Sequence, residues 1–329
     1  MAEHAVDLPV DHVARPATWD DLDGVARLFQ RAEADRQGTI SFREQDLRLR
    51  WLGRDDFTDT VVVLDGEGDL AAFAEFTVDD GMFSDRPDVW IDARVDPHHL
   101  DKGLASWLHR QGEERARREA RDRGLDTVML RTTLTAGDRP AAAFLRARGF
   151  EPAHHYLAMR LGLHEPPSRP VWPDPVTIRS ASHNDLAAIH RTHQVAFDDH
   201  PTAMPLGLTD WVESRTAGAP PDWPLWLVAE VDDRVVGICL GRSGTPEGKE
   251  VGYIRDLGVV PQWRRRGIAL ALLMTAFRRF YARGLSAVAL EVDDDTLDGA
   301  ADLYERAGME VVRRTDVVEH VVEARPDEH

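Results

Sequence analysis

Cysteine is almost missing: Cys239 stands alone among 329 residues, so no internal disulfide can form and no thiolate set exists to hold zinc. Lysine is nearly as scarce. Lys102 and Lys249 are the only two among 40 basic residues, which reads as a bias toward arginine and carries no functional weight. Long apolar runs are absent too. None approaches the roughly 18 residues that cross a bilayer, and the opening stretch, residues 1–16, has no basic-then-apolar leader pattern. A soluble, cytoplasmic protein with no membrane partner is therefore expected. Positive charge is in deficit, with a formal net charge of −18. A field of that sign repels phosphate backbones, so nucleic acid is not an expected partner. What remains is globular composition, 43% hydrophobic and 30% charged. The chain is long enough for two domains of about 150 residues, each able to bury its own core.

The chain repeats itself. Arg15-Pro-Ala-Thr-Trp-Asp-Asp-Leu22 resembles Arg179-Ser-Ala-Ser-His-Asn-Asp-Leu186. Val95-Asp-Pro97 recurs as Val259-Val-Pro261, and Gly103-Leu-Ala105 as Gly267-Ile-Ala269, all at the same offset. Gly149-Phe150 returns as Gly308-Met309 at a slightly shorter one, which marks a small indel. So long a period excludes a solenoid and implies two whole domains in tandem. The proline-rich stretch 164–175 cannot join a helix or a central strand and reads as a semi-rigid linker. The expected domains are 1–163 and 176–329.

Periodicity in the second half predicts a strand near 176–179, helices over 184–197 and 208–216, and a hairpin of 225–231 with 234–240 around Asp232-Asp233. It then predicts a strand over 251–259, a helix over 266–283 with Leu270, Leu273, Phe277 and Phe280 on one face, a strand over 287–292, a helix over 298–307 closed by Gly308, and a strand region over 310–322. Hairpins mixed with crossover helices imply an α/β fold, a mixed and mostly antiparallel sheet flanked by helices, in each half.

The chemistry concentrates in Ile254-Arg-Asp-Leu-Gly-Val-Val-Pro-Gln-Trp-Arg-Arg-Arg-Gly-Ile-Ala269. A strand turns at Pro261 and meets a helix opening with Arg264, Arg265, Arg266 and Gly267. Unpaired N–H groups and the positive dipole end suit a pyrophosphate there, glycine lets backbone come close, and the arginines add charge. The pattern resembles the first signature of the GNAT acyltransferase superfamily, with Arg264, Gly267 and Ala269 in its positions. Ala301, Leu303, Tyr304, Glu305 and Gly308 resemble its second signature. The likeness covers both halves, and the tandem arrangement resembles the mycothiol synthase-like acetyltransferases within the superfamily.

The resemblance implies acetyl-CoA as acyl donor, no metal, and a primary amine of a small molecule or peptide as acceptor, in a monomer or homodimer. It implies that the backbone of Leu257, Gly258 and Val259 pairs with the pantetheine arm. The amides from Arg264 through Arg265, Arg266, Gly267, Ile268 and Ala269 to Leu270 then cradle the pyrophosphate. Tyr304 fits the acid that protonates the departing thiolate, because a phenol keeps its proton at neutral pH; Leu303 is expected to take the core side of that helix. The base stays open. Tyr253 stands where several members carry a strand glutamate, which leaves Asp256 and Glu250 as candidates, with Glu291 and Asp293 on the next strand.

Asp198, Asp199 and His200, in the loop between the first two helices of the second half, are placed to orient a cationic acceptor. Trp211, Trp223 and Trp226 form either an aromatic wall or core. In the first half Leu100, Asp101 and Lys102 replace the arginines and Leu145 replaces Tyr304. That half is expected to be catalytically silent, either holding CoA through 93–95 and 103–105 or only walling the second half's cleft. The alternative for the whole chain is a non-catalytic acyl-CoA-binding or regulatory module.

Overall fold

Each repeat opens with one device. Arg15 forks onto both oxygens of Asp21 at 2.7 and 2.8 Å, and Arg179 onto those of Asp185 at 2.9 and 2.8 Å. Asp21 also accepts from the backbone and hydroxyl of Thr18, and Asp185 from those of Ser182. A capping box and a bidentate ion pair thus share one carboxylate and start the first helix. This is the physical content of the first sequence match.

The computed structural model describes residues 7–37, 44–52, 56–79, 87–198, 206–216, 220–245, 248–293 and 300–324. The first repeat runs β1 (Val13–Arg15), α1 (Leu22–Gln37), α2 (Glu44–Trp51), β2 (Thr60–Leu64), β3 (Leu70–Asp79), β4 (Asp88–Val95), α3 (Leu104–Asp122), β5 (Thr127–Thr135), α4 (Arg139–Arg146) and β6 (Glu151–Gly162). The second runs β7 (Thr177–Ser180), α5 (Leu186–Ala196), α6 (Leu208–Thr216), β8 (Trp226–Val231), β9 (Arg234–Thr245), β10 (Gly248–Val259), α7 (Ile268–Ala282), β11 (Ala287–Asp293), α8 (Ala300–Arg306) and β12 (Glu310–Glu323). The element order is the one the periodicity predicts. Asp232 and Asp233 both adopt positive φ, 49° and 61°, the backbone that a two-residue hairpin turn requires.

Contacts divide the chain into two compact units, residues 1–153 with 316–329, and residues 154–315. The boundary therefore runs through the last strand of each repeat. Nearly all of β6 packs in the second unit, and the end of β12 packs in the first. In the second unit β7, β8, β9 and β10 are successively antiparallel, β10 runs parallel to β11, and β6 closes the sheet antiparallel to β11. In the first unit β1 to β4 are likewise antiparallel, with β5 parallel to β4.

Helix α7 covers one face of the second sheet. Leu273, Phe277 and Phe280 are buried there, as their spacing predicts, whereas Leu270 is only partly buried near the helix start. Phe280 lies so close to β9 and β10 that a Cβ at Gly241 would stand 2.9 Å from its ring, and one at Gly252 would collide with it. The opposite face packs α5 and α6 through Ile189, Trp211, Trp226 and Leu240. Trp211 and Trp226 are thus core residues, with Trp223 packed against them.

Candidate active site

The sheet of the second unit opens at one place. Strand β10 pairs with β11 only at Val251, Gly252 and Tyr253, yet it continues along β9 to Val259. Past Tyr253 no described residue of β11 pairs with its outer edge, so among the described residues alternate N–H and C=O groups there have no strand partner and can take an extended, amide-bearing chain. The β9–β10 ladder also skips a residue: Ile254 faces Gly241 and Asp256 faces Leu240, so Arg255 is extra. Such a bulge bends the strand and re-aims its backbone. Leu257, Gly258 and Val259 follow on the opened edge. Gly258 is tightly covered, since a Cβ there would stand 2.8 Å from Phe197 Cε2 and 3.0 Å from Ala196 Cβ.

A single 3-10 turn, Pro261–Trp263, leads out of β10, and residues 264–267 then enter α7 without helical structure. Arg265 and Gly267 have φ of 60° and 85°. A Cβ on Gly267 would meet nothing within 4 Å; the left-handed backbone, not crowding, calls for glycine. The first α7 bond made to the turn runs from Ala271 N–H to Gly267 O at 3.0 Å. The amides of Ile268, Ala269 and Leu270 therefore stand at the helix end without an intrahelical acceptor, at the positive pole of the dipole. The arginines divide their roles. Arg264 is folded back, donating to Val259 O at 3.1 Å and Ala196 O at 2.8 Å, and so ties the turn to β10 and α5. Arg266 lies over the Trp263 ring at 4.5 Å, and it is exposed, as is Arg265.

Asp256 sits just past the bulge on the α5 side of the sheet. His193 Nε2 approaches its Oδ1 at 3.2 Å and Arg215 Nη2 at 3.5 Å. Burial pushes its pKa up, but the His193 hydrogen bond and the charge of Arg215 push harder, and the carboxyl is held below its usual range. On the other side, Tyr304 packs at the margin of the main core with Ala300 and Ala301, above buried Ala307. These positions form one stripe of α8. Leu303 is not part of that cluster, so it is the tyrosine that faces the core, contrary to the expectation for Leu303. Burial first, and then its buried acidic neighbours, of which Asp256 is the ionised one, raises the Tyr304 pKa well above its ordinary value. The phenol stays protonated.

The remaining candidates lie elsewhere. Glu250 is exposed, and its backbone carbonyl accepts from Ser286; it is six residues before Asp256, about 20 Å along a strand. Glu291 is paired with Arg313 at 3.2 Å, and Asp293 is buried at the end of β11. Tyr253 occupies the last paired rung, its phenol pushed up to about 12 by burial and by neighbouring Glu291. Asp199 and His200 lie outside the described residues. Sequence reading does not single out His193, Arg215 or Arg255. The last shows only in the strand registers, where Tyr253 faces Arg242 and Trp90 faces Thr77, because at the repeat's constant offset the sequence has the same spacing in both halves.

The first unit keeps the frame without these features. Strand β4 also pairs with β5 over three rungs only, Asp88 to Trp90, but its ladder with β3 runs from Val95 to Asp88 without a bulge. The counterpart of the turn is a six-residue 3-10 helix, Pro97–Lys102, capped by Asp96. Asp92, the counterpart of Asp256, is clamped by Arg50 at 2.9 Å and Arg94 at 2.6 Å.

Comparison with known proteins gives the family. The model of the acetyltransferase (GNAT) family matches residues 23–150 and again 186–309. A mycothiol acetyltransferase from Nocardioides sp. is 28% identical over 203 residues, covering 54% of this chain and 69% of that protein. Among solved structures, a GCN5-related N-acetyltransferase from Sphaerobacter thermophilus is 29% identical, with a TM-score of 0.83 over 97% of this chain and 98% of that one. A tandem GNAT protein from the clavulanic acid biosynthesis pathway shares the fold, with a TM-score of 0.67 over 96% of this chain and 99% of that one at 17% identity. The chain belongs to the acetyltransferase (GNAT) family, as two tandem domains, and its general chemistry is acyl-CoA-dependent N-acetyl transfer.

Proposed function

We propose that the second unit moves an acetyl group from acetyl-CoA to a primary amine of a small molecule or peptide, by direct attack, and that the first unit is catalytically silent. The observation that carries this reading is the coincidence, in the second unit alone, of the bulge at Arg255, the open turn over residues 264–267 and the protonated Tyr304. The diphosphate sits on the amides from Arg264 to Leu270, beside Arg265 and Arg266, while the Arg264 side chain holds the turn in shape. The pantetheine amides add to the edge of Leu257, Gly258 and Val259 as a further strand would.

The acceptor enters as an ammonium and gives up a proton before its lone pair is available. Asp256, ionised beside the bulge, is the proton acceptor; exposed Glu250 does not fit that role. The amine then forms the C–N bond, and the developing oxyanion is met by backbone N–H of the opened strand. The C–S bond breaks, and the CoA thiolate takes its proton from the Tyr304 hydroxyl. The second proton lost by the acylated nitrogen returns to the Tyr304 phenolate by way of solvent, while the proton held by Asp256 is released to water.

Incubating the protein with acetyl-CoA and a panel of primary amines should release CoA thiol with at least one of them. The Tyr304→Phe variant should lose most of that rate and bind acetyl-CoA as well as before. Calorimetric binding of acetyl-CoA with no turnover across the panel would instead favour a non-catalytic acyl-CoA-binding module.

A further inference from the structure

His193 makes two contacts that its Nε2 cannot both satisfy. That atom lies 3.2 Å from Asp256 Oδ1 and 3.0 Å from Arg215 Nη2. Guanidinium is only a donor and carboxylate only an acceptor. If Nε2 is bare it accepts from Arg215, and an anion then faces its lone pair in a dry setting. If Nε2 carries hydrogen it donates to Asp256. The second arrangement wins on charge, since the anion keeps a donor and Arg215 still attracts it from 3.5 Å. Arg255 stands further off, its Nε 4.0 Å from Asp256 Oδ2.

The cluster keeps unmet hydrogen-bonding groups. Among the described residues His193 Nδ1, Arg215 Nε and Asp256 Oδ2 are buried with no hydrogen-bond partner. The Asp256 side chain is 10% exposed, and buried polar atoms of this kind are seldom left unmatched. The ring of His193 is held in place, stacked on Phe197 at 4.5 Å and set edge-on to Trp211 at 5.3 Å. Phe197 in turn covers Gly258 on the opened strand. Among the described residues, the charged groups in contact with His193 are Arg215 from α6 and Asp256 from β10, with Arg255 behind. On its own helix, His190 is turned to the backbone carbonyl of Leu206 at 2.8 Å. In the first unit the counterpart position is Phe29, and Asp92 is clamped by Arg50 and Arg94.

We infer that His193 is the positioning residue of the transfer: through the hydrogen on Nε2 it orients Asp256 and leaves Oδ2 as the oxygen that receives the acceptor's proton. This rests on the proposed role of Asp256, but its first test does not. Long-range proton–nitrogen spectra of histidine-labelled full-length protein, assigned by loss of one signal in His193→Gln, should show the Nε2–H form at pH 8. The Nδ1–H form would overturn the inference. Carboxyl carbon spectra should keep the Asp256 pKa depressed in His193→Gln, whose amide N–H reaches the same place, and show it raised by at least one unit in His193→Phe. Equal values in both variants would also overturn it.

With an amine that releases thiol, His193→Gln should keep kcat within about fivefold. His193→Phe should lose 30-fold or more, with KM for acetyl-CoA unchanged. Equal losses in both variants would mean that the ring is needed only for packing. If Asp256→Asn transfers acetyl at the full rate, the proposed proton acceptor is wrong, and the spectra still report on His193.

Discussion

At the scale of single residues, Tyr304 concentrates the claim. Its ring is packed with Ala300 and Ala301 at the core margin, and its hydroxyl is kept protonated by burial and by nearby negative charge. Tyr304→Phe keeps the ring and removes only the acid. Melting should therefore shift little, while kcat with a responsive amine falls by about 10²–10³, the range of one general acid. Stopped-flow detection of thiol would show it. A loss of affinity for acetyl-CoA instead would mean that the hydroxyl binds rather than protonates. Tyr304 is legible in the sequence, because Ala301, Leu303, Glu305 and Gly308 match the motif around it. His193 is not: α5 and β10 are more than 60 positions apart, and only the folded sheet brings them to 3.2 Å.

At the scale of elements, the bulge beside Asp256 sets β10 apart from β4. Arg255 is an insertion within the β9–β10 ladder, and β4 runs regular without it. Deleting Arg255 should remove the bulge beside Asp256 and leave the ladder irregular only between Gly248 and Gly252, because the bulge absorbs the change and the side-chain alternation on both of its flanks is kept. The expected outcome is a folded protein, melting within several degrees of the parent, that binds acetyl-CoA and transfers nothing. Retained transfer would show that the bulge is not part of the site.

The cap of α5 is a stability element. Asp185 is held far below the usual carboxylate range, first by its hydrogen bonds from Arg179, against the opposing effect of burial, and then by Ser182. A depressed carboxyl contributes stability above its unfolded pKa near 4 and loses it as pH falls toward the folded value. Asp185→Asn should lower the urea midpoint at pH 7 by the equivalent of about 1 kcal/mol, and the gap to the parent should close toward pH 2. A constant gap would contradict the ionic account.

At the scale of the whole molecule, the repeat in sequence and the units in space do not coincide. Composition places the division at the proline-rich stretch 164–175, where it changes most sharply. Strand β6 reads locally as the end of the first repeat, yet it pairs with β11 from Ala287 to Asp293. Nothing in a strand's own residues names its partner, since alternation specifies a face and not a neighbour. By contrast the fold class, the order of elements and the turn into α7 are legible, because each is written in local periodicity, glycine and proline.

Cutting the chain within 164–175 should leave each unit without one of its strands. Fragments expressed alone should be unstable, and co-expressed fragments should purify together as one folded species. Two independently folded, non-associating fragments would contradict the exchange.

The most direct test of the central claim is amide hydrogen exchange, followed by mass spectrometry, with and without saturating acetyl-CoA. The account predicts new protection over residues 257–259 and 264–270 in the second unit, and none over 93–95 or 100–105 in the first. Protection confined to the first unit, or none in either, would contradict it.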